Sequence, residues 1–157
     1  MEDWSDWIAI ASARARHGPF AFHGIYQVRC TDRSGAPLPI HRLVGVDKTG
    51  LLYIGRSGLP SRSERRTVAN RLDEFMRQEH SGGKTYVFAA AVMGGDPSLE
   101  GHRLEARGRR LPESEIERLE DAELTQYLMR HGELPPCNSK MPAVKGLLYG
   151  RKPKWSA

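Results

Sequence analysis

Two short β-forming segments, each with a tyrosine close to a glycine, constrain this chain more than any other feature. They are Gly24-Ile25-Tyr26 and Tyr53-Ile54-Gly55, and each lies at the edge of an apolar run. Tyrosine and isoleucine favour strands, and a glycine in a strand allows another group to approach the backbone closely. The pair therefore predicts two strands whose ends carry tyrosine hydroxyls beside accessible backbone.

Length and composition indicate one soluble globular domain. The chain has 157 residues, of which 39% are hydrophobic and 27% charged, enough to bury a core. We treat residues 1–157 as a single domain, with a helical N-terminal extension over 1–20 and a basic C-terminal tail over 140–157. No apolar run is long enough to cross a bilayer, and the acidic N-terminus is not typical of a signal peptide. We therefore expect a cytoplasmic protein without a membrane partner.

Cysteine usage and net charge limit which ligands the chain is expected to bind. Cys30 and Cys137 are isolated, which favours neither a zinc site nor a disulfide framework. The formal net charge is +5, which permits nucleic-acid binding. Charge runs are usually solvated faces, but two basic groups flank the candidate site and favour phosphate contact. The predicted DNA-binding residues are Arg56, Arg62, Arg65, Arg66, Lys140 and Lys145.

Hydrophobic periodicity and turn residues predict the elements of the first half. We expect an amphipathic helix over 2–16, a strand from Gly24 to Cys30, a hairpin of 43–46 with 51–54, and a loop over 55–60. A helix is then expected from Ser61 or Ser63, where Ser61-x-x-Glu64 fits a capping box, to the stop at Ser81-Gly82-Gly83.

The second half is predicted in the same way. The apolar run Thr85 to Met93 is typical of a buried central strand, and residues 94–111 of a loop. Ser114-x-x-Glu117 fits a second capping box, opening a helix that Gly132 ends. The fold class is therefore α/β (α+β), with a small, mainly antiparallel central sheet flanked by helices.

Three polar residues follow the tripeptides in a suggestive order: Arg71, Glu123 and Asn138. With the tripeptides they resemble the signature of the GIY-YIG nuclease family over roughly residues 23–140. The resemblance implies a GIY-YIG-like fold and metal-dependent endonucleolytic hydrolysis of DNA. It implies Tyr26 as the base, Tyr53 as a positioning group, and Asn138 as a brace for the site. The inserts over 32–48 and 94–110 are longer than in a minimal module of the family.

Glu123 and Arg71 also stand out by their helical positions. Glu123 lies four residues after Leu119 and four before Tyr127, on an apolar stripe where an unpaired carboxylate is costly. A metal would pair with it, and one hard carboxylate suits Mg²⁺ or Mn²⁺; an ordinary ion pair is the alternative. Arg71 borders the stripe of its helix, where a guanidinium can stabilise phosphate charge, with Arg62, Arg65 and Arg66 as rivals.

The other candidates have simpler readings that stay open. Tyr26 and Tyr53 are also ordinary core aromatics, and a tyrosine base needs nearby positive charge because its usual pKa is near 10. Asn138 is also a common turn residue beside prolines. His80 either contacts phosphate or simply lies near a helix C-terminus; some relatives in the family have a histidine where this chain has Phe75.

Competing functions are weighed on the same residues. Residues 50–57 approach a phosphate-binding loop, but their centre has strand composition and no helix opens at once, so we reject that motif. The main alternative is a non-catalytic nucleic-acid-binding module derived from a nuclease, which would not need Glu123. An interaction protein using the Trp4 and Trp7 segment has little support. We expect DNA as the partner, one metal ion and no small-molecule cofactor, and leave a homodimer open.

Overall fold

The computed structural model describes residues 3–32, 34–58, 66–86 and 103–142. Its strands are β1 (Ile8–Ala9), β2 (Gly24–Thr31), β3 (Ile40–His41), β4 (Val46–Asp47), β5 (Leu51–Arg56) and β6 (Arg103–Arg110). Its helices are α1 (Ile10–Ala13), α2 (Val68–Met76) and α3 (Glu113–His131), and residues 81–86 are also helical. An antiparallel sheet has the order β1-β6-β2-β5, and β3 pairs only with β4. The predicted mixture of helices and a small antiparallel sheet is confirmed.

The sheet separates two apolar layers, because alternate residues of a strand face opposite sides. On one side Tyr26 and Val28 pack with Leu72 and Phe75 of α2. On the other, residues of the sheet pack with α3 in two clusters, one with Ile54 and Leu124 and one with Ile25 and Ile116. The strand over Gly24–Cys30 is confirmed and extends to Thr31. A site at the end of β5 can therefore receive side chains from both layers.

The helix predicted over 2–16 is wrong except for the single turn α1. The segment before it is extended: Ser5 donates its backbone N–H to the Gly108 carbonyl (2.9 Å), and Ser5 Oγ accepts from the Gly108 N–H (3.0 Å). Trp4 and Trp7 stack against the Arg107 guanidinium, each at 4.7 Å from the ring centroid. The spacing of the tryptophans, which favoured a helix, thus reflects pairing of this segment with β6 and cation–π contacts with Arg107.

The predicted hairpin of 43–46 with 51–54 is also wrong, since β4 pairs with β3 and β5 pairs with β2. The buried Asp47 carboxylate explains the separation. It accepts hydrogen bonds from the backbone N–H and hydroxyl of Thr49, from the Leu51 N–H and from the Tyr127 hydroxyl. These bonds turn the chain between β4 and β5 and direct β5 to the other sheet. β5 also continues through Gly55 to Arg56, where a loop was expected.

Helix α2 begins later and ends earlier than predicted. Thr67 is its N-cap, and the reciprocal bonds of a capping box join Thr67 and Asn70; the proposed starts at Ser61 and Ser63 lie outside the described residues. The helix ends at Met76, and 81–86 form a separate helical segment. Gly83 serves close packing there rather than a stop, because a Cβ would lie 2.0 Å from the Phe75 carbonyl oxygen.

The expected central strand and loop change places. Thr85 and Tyr86, the start of the predicted strand over 85–93, are helical, and residues 87–93 lie outside the described residues. The predicted loop over 94–111 instead contains β6, which pairs along its whole length with β2. Leu104 and Ala106 of β6 face the apolar core. Arginines at several of the other positions hide this alternation in the sequence, and two of them, Arg107 and Arg110, place their guanidinium groups over aromatic rings.

Helix α3 is confirmed, with a different start. Pro112 is its N-cap, no side chain caps it, and Ser114 already lies within the helix, so the proposed capping box is wrong. Gly132 ends it in the left-handed conformation (φ 73°), as expected for a glycine at this position. No helix in the described parts of the chain is long and apolar enough to cross a membrane.

Candidate active site

A polar cleft of about 300 Å³ opens beside the end of β5. Five parts of the chain supply its walls: β5 and the residues after it, α2 with the preceding Arg66, Ser81, α3, and the segment 138–141. Its chemically distinctive lining residues are Tyr53, Arg56, Arg71, Glu120, Asn138 and Lys140. Residues far apart in sequence thus converge at the place where the second tripeptide ends.

Tyr26 and Tyr53 lie together beside Gly55, with ring centroids 5.9 Å apart. A Cβ added at Gly55 would lie 2.5 Å from the Tyr53 ring and 2.7 Å from Cζ of Tyr26. Contacts that short do not occur, so the glycine is what allows both rings to pack over β5. Tyr53 lines the cleft, whereas Tyr26 is completely buried behind it.

Burial dominates the acid–base behaviour of both tyrosines. It raises the pKa of Tyr26 well above the ordinary value, and the neighbouring Tyr53 raises it further, while Arg71 opposes the rise. Burial likewise raises the pKa of Tyr53, again against the lowering effect of Arg71. Both phenols are therefore neutral at pH 7 in the structure described. Either could act as a base only if more positive charge entered the cleft.

Arg71 projects from α2 into the cleft and pairs with the carboxylate of Glu74. Burial tends to lower the pKa of Arg71, but the negative charges of Tyr26, which ionises only far above pH 7, and of Glu74 more than offset this, so the net pKa is raised. Among the described arginines, Arg56 and Arg66 also line the cleft. Of these three, Arg71 is the one whose charge acts on both tyrosines.

Glu123 does not line this cleft. Its carboxylate accepts a hydrogen bond from Nε2 of the buried Gln27 (3.1 Å), and Gln27 Oε1 accepts from Nε of Arg107 (2.9 Å). Burial raises the pKa of Glu123, and Arg107 and Arg109 oppose the rise. Glu123 belongs to a second cleft, of about 350 Å³, lined by Trp7, Arg107 and Tyr127 among others. It ties α3 to the sheet at a place away from the tyrosines.

Glu120 is the carboxylate that α3 presents to the candidate cleft, and sequence reasoning missed it. Burial raises the pKa of Glu120 to about 7, with Arg56 opposing the rise, and Arg56 Nε lies 3.1 Å from Glu120 Oε2. Glu120 interacts electrostatically with both tyrosines. A signal was present: Glu120 lies four residues from each of Ile116 and Leu124, which are both buried.

Asn138 holds the backbone of β5 rather than presenting free groups to the cleft. Its Oδ1 accepts from the Ile54 N–H (2.9 Å), and its Nδ2 donates to the Ile54 carbonyl (2.8 Å). The amide thus pairs with the open side of β5 as a neighbouring strand would. Its position agrees with a bracing role, since Ile54 lies between Tyr53 and Gly55.

His80 stacks on Tyr53 and Phe75, with ring centroids 5.3 and 5.4 Å apart. Burial, with the nearby charge of Arg71, lowers its pKa to about 4, so the imidazole is neutral at pH 7. A Cβ at Gly82 would lie 2.7 Å from the Tyr53 ring, so that glycine permits the stack. His80 borders a cavity adjoining the candidate cleft.

The predicted DNA-binding residues are placed unevenly. Arg56, Arg66 and Lys140 line the cleft, whereas Arg62, Arg65 and Lys145 lie outside the described residues. Arg56 pairs with Glu117 and Glu120, and Arg66 pairs with Glu74 at 3.0 Å. Both of these arginines are therefore already paired with carboxylates in the described structure.

The residues at the cleft are compatible with one hard divalent cation. The Oε2 atom of Glu120 pairs with Arg56, and burial raises the pKa of this carboxyl group. A cation bound to Glu120 would offset that effect of burial. Mg²⁺ needs few protein ligands because it keeps several waters. Within the described ranges, no three His, Cys, Asp or Glu residues cluster as a multi-ligand site. Comparison with family models, with curated proteins and with solved structures found no match.

Proposed function

We propose that this protein is an endonuclease that hydrolyses phosphodiester bonds in DNA with one Mg²⁺ or Mn²⁺ ion. The observation that carries the proposal is the convergence of Tyr53, Arg71 and Glu120 at one cleft, with Tyr26 behind it and Asn138 bracing β5. The resemblance of the tripeptides to the GIY-YIG signature supports the same chemistry.

Glu120, rather than Glu123, is the metal ligand in this proposal. Glu120 lies in the cleft with the tyrosines, whereas Glu123 is engaged by Gln27 beside the sheet. When bound, the ion would supply positive charge that lowers the pKa of a nearby water and of Tyr53. Arg56, which now pairs with Glu120, would then be released to contact phosphate.

Hydrolysis needs a water oxygen to bond to phosphorus while one ester P–O bond breaks and the leaving sugar oxygen gains a proton. Arg71 stabilises the charge that develops on the phosphate oxygens, because a planar guanidinium donates to two of them at once. Tyr53 lines the cleft, whereas Tyr26 is wholly buried. As the phenolate that added positive charge would favour, Tyr53 would take the proton of the attacking water, and a solvent water would protonate the leaving sugar oxygen. Tyr26 holds the Tyr53 ring, which reverses the roles that the family resemblance implies.

Glu120→Gln and Glu123→Gln provide a matched test, because they make the same change three residues apart on one helix. Purified proteins would be incubated with supercoiled plasmid and a single-stranded oligonucleotide, with Mg²⁺ or EDTA. We expect the wild type to cut in Mg²⁺ but not in EDTA. The cleavage rate of Glu120→Gln should fall by at least about 100-fold, whereas Glu123→Gln should still cut. Equal activity of the wild type and Glu120→Gln would refute the assignment of the metal ligand.

The same assay addresses a non-catalytic nucleic-acid-binding module. One observation favours that alternative: Glu120 is already paired with Arg56, so its charge is balanced without a metal. If the wild type binds DNA but cuts neither substrate, with either Mg²⁺ or Mn²⁺, the binding module becomes the better description.

A further inference from the structure

A third space, a cavity of about 460 Å³, adjoins the candidate cleft between α2 and the helical segment 81–86. Its described lining residues are Arg66, Arg71, Glu74, Glu79, His80 and Ser81. Arg66, Arg71 and Ser81 also line the candidate cleft. The two spaces therefore lie on either side of these three side chains, at a separation that neighbouring phosphates of one strand could bridge.

His80 brings to this cavity a hydrogen-bond donor that lacks a regular partner. Its Nδ1 accepts from the Gly82 N–H (3.1 Å), and because the ring is neutral, its proton resides on Nε2. Nε2 is buried and makes no hydrogen bond of ordinary geometry among the described residues, although the Arg71 backbone acts on the ring as a weak acceptor. A buried donor without a good partner is unfavourable, so an acceptor atom that reached Nε2 would reduce a penalty already present in the fold.

Glu74 organises two cations at the same cavity. Its Oε1 lies 3.0 Å from Arg66 Nη1, and its Oε2 pairs with Arg71 Nη1. Each guanidinium has five N–H donors in a planar fork, so one bond to Glu74 orients it and leaves other donors for an anion. Glu74 therefore neutralises part of the positive charge but also fixes its direction.

Glu79 is the charge that opposes an anion here. It is exposed, and its Oε1 lies 3.9 Å from Arg77 Nη1. Screening by water and salt makes such an exposed charge weak. The two oriented arginines, the neutral imidazole donor and the Ser81 hydroxyl present donors of the kind that phosphate oxygens accept.

We propose that this cavity binds the phosphate adjacent to the scissile one on the same DNA strand, with His80 Nε2 donating a hydrogen bond to it and Arg66 pairing with it. The inference rests on the proposed function. It adds a subsite that positions the strand so that the scissile phosphate meets Arg71 in the neighbouring cleft.

The test is binding of a fluorescent twelve-nucleotide DNA in EDTA, measured by anisotropy over a range of NaCl concentrations. His80→Phe keeps an aromatic ring but removes Nε2–H, and we expect it to weaken binding by about five- to twentyfold with an unchanged salt slope. Arg66→Gln should weaken binding and reduce the slope by about one. His80→Gln, which restores a side-chain donor, should recover part of the loss.

Two variants serve as controls. Glu79→Gln removes the opposing charge and should strengthen binding by about two- to threefold. Lys48→Gln changes an exposed cation that lines the second cleft beside Glu123, and should bind as wild type does. Thermal melting of each variant would identify losses caused by misfolding, and Arg66→Gln tests the subsite if His80→Phe does not fold.

A direct readout is the Nε2–H signal of His80 in NMR spectra of the wild type. We expect it to move downfield when DNA is added, because a hydrogen bond to phosphate forms. An unmoved signal, with wild-type affinity of His80→Phe and Arg66→Gln, would overturn the subsite while leaving Glu120-dependent cleavage intact. Absence of any DNA binding by the wild type would overturn both proposals.

Discussion

Helix α3 carries two glutamates in contrasting surroundings, one on each side of its contact with β5. Glu120 lies in the cleft with Tyr53 and Arg71, where its nearest cation is Arg56. Glu123 lies over the sheet, where Gln27 connects it to Arg107. The first carboxylate borders open space and remains protonatable near neutral pH, whereas the second is a structural tie between helix and sheet.

The contrast shows how one residue type serves chemistry in one place and packing in the other. A carboxylate in a cleft can exchange its partner for a cation or substrate. A carboxylate whose partner is a buried amide cannot do so without leaving that amide unpaired. Function therefore follows from what lies opposite the side chain and not from its type.

The largest expected effect comes from removing the guanidinium group of Arg71 from the cleft. Arg71→Ala should reduce single-turnover cleavage by about 100- to 1,000-fold, because it deletes the donor group that faces the developing phosphate charge. Arg107→Ala, the matched change on the Glu123 side, should cut at a rate within about fivefold of wild type. The comparison fails if the two variants lose activity equally while both remain folded by circular dichroism.

Glu120 should make stability depend on pH in an unusual direction. Its pKa in the folded state is about 7 against an ordinary 4.5, so its burial opposes folding increasingly as pH rises from about 4.5 to 7. By linkage, Glu120→Gln should be more stable than wild type by about 3 kcal/mol at pH 8, with little difference at pH 4. Urea unfolding at both pH values checks this, and a pH-independent difference would contradict it.

Asn138→Ala should reduce both stability and activity, because it leaves the N–H and carbonyl of Ile54 without their partner. The expected loss of unfolding free energy is about 2 kcal/mol. Activity should fall with it, since β5 carries Tyr53. Hydrogen exchange of the Ile54 amide gives a local readout, and unchanged protection of that amide would count against the bracing role.

Glu123→Ala should have the smallest effect and a purely structural one. It removes the acceptor of the buried Gln27 amide, so unfolding free energy should fall by about 1 kcal/mol. The cleavage rate of the folded protein should match wild type. A loss of cleavage comparable to that of Glu120→Gln, without a loss of stability, would reverse the assignment of the two glutamates.

Local patterns predicted the elements that depend on neighbouring residues. The strand that begins at Gly24, the long helix before Gly132 and the position of Arg71 on a helix all follow from periodicity and end signals. Local patterns were wrong for β6 and for the Trp4–Trp7 segment, because each is stabilised by the other. Ser5 pairs with Gly108 and Trp4 stacks on Arg107, across about 100 residues of sequence.

The choice between the two glutamates shows where the sequence alone ceases to be sufficient. An α-helix turns about 100° per residue, so side chains three apart differ by about 60° around the axis. An apolar stripe is at least about 100° wide, so helical position alone does not distinguish the two glutamates. The sequence determined that α3 forms and that a carboxylate lies on its apolar stripe. Only the tertiary structure decided which carboxylate meets the tyrosines, because the rotation of α3 is set by Leu124 packing on Ile54 and Ile116 on Ile25.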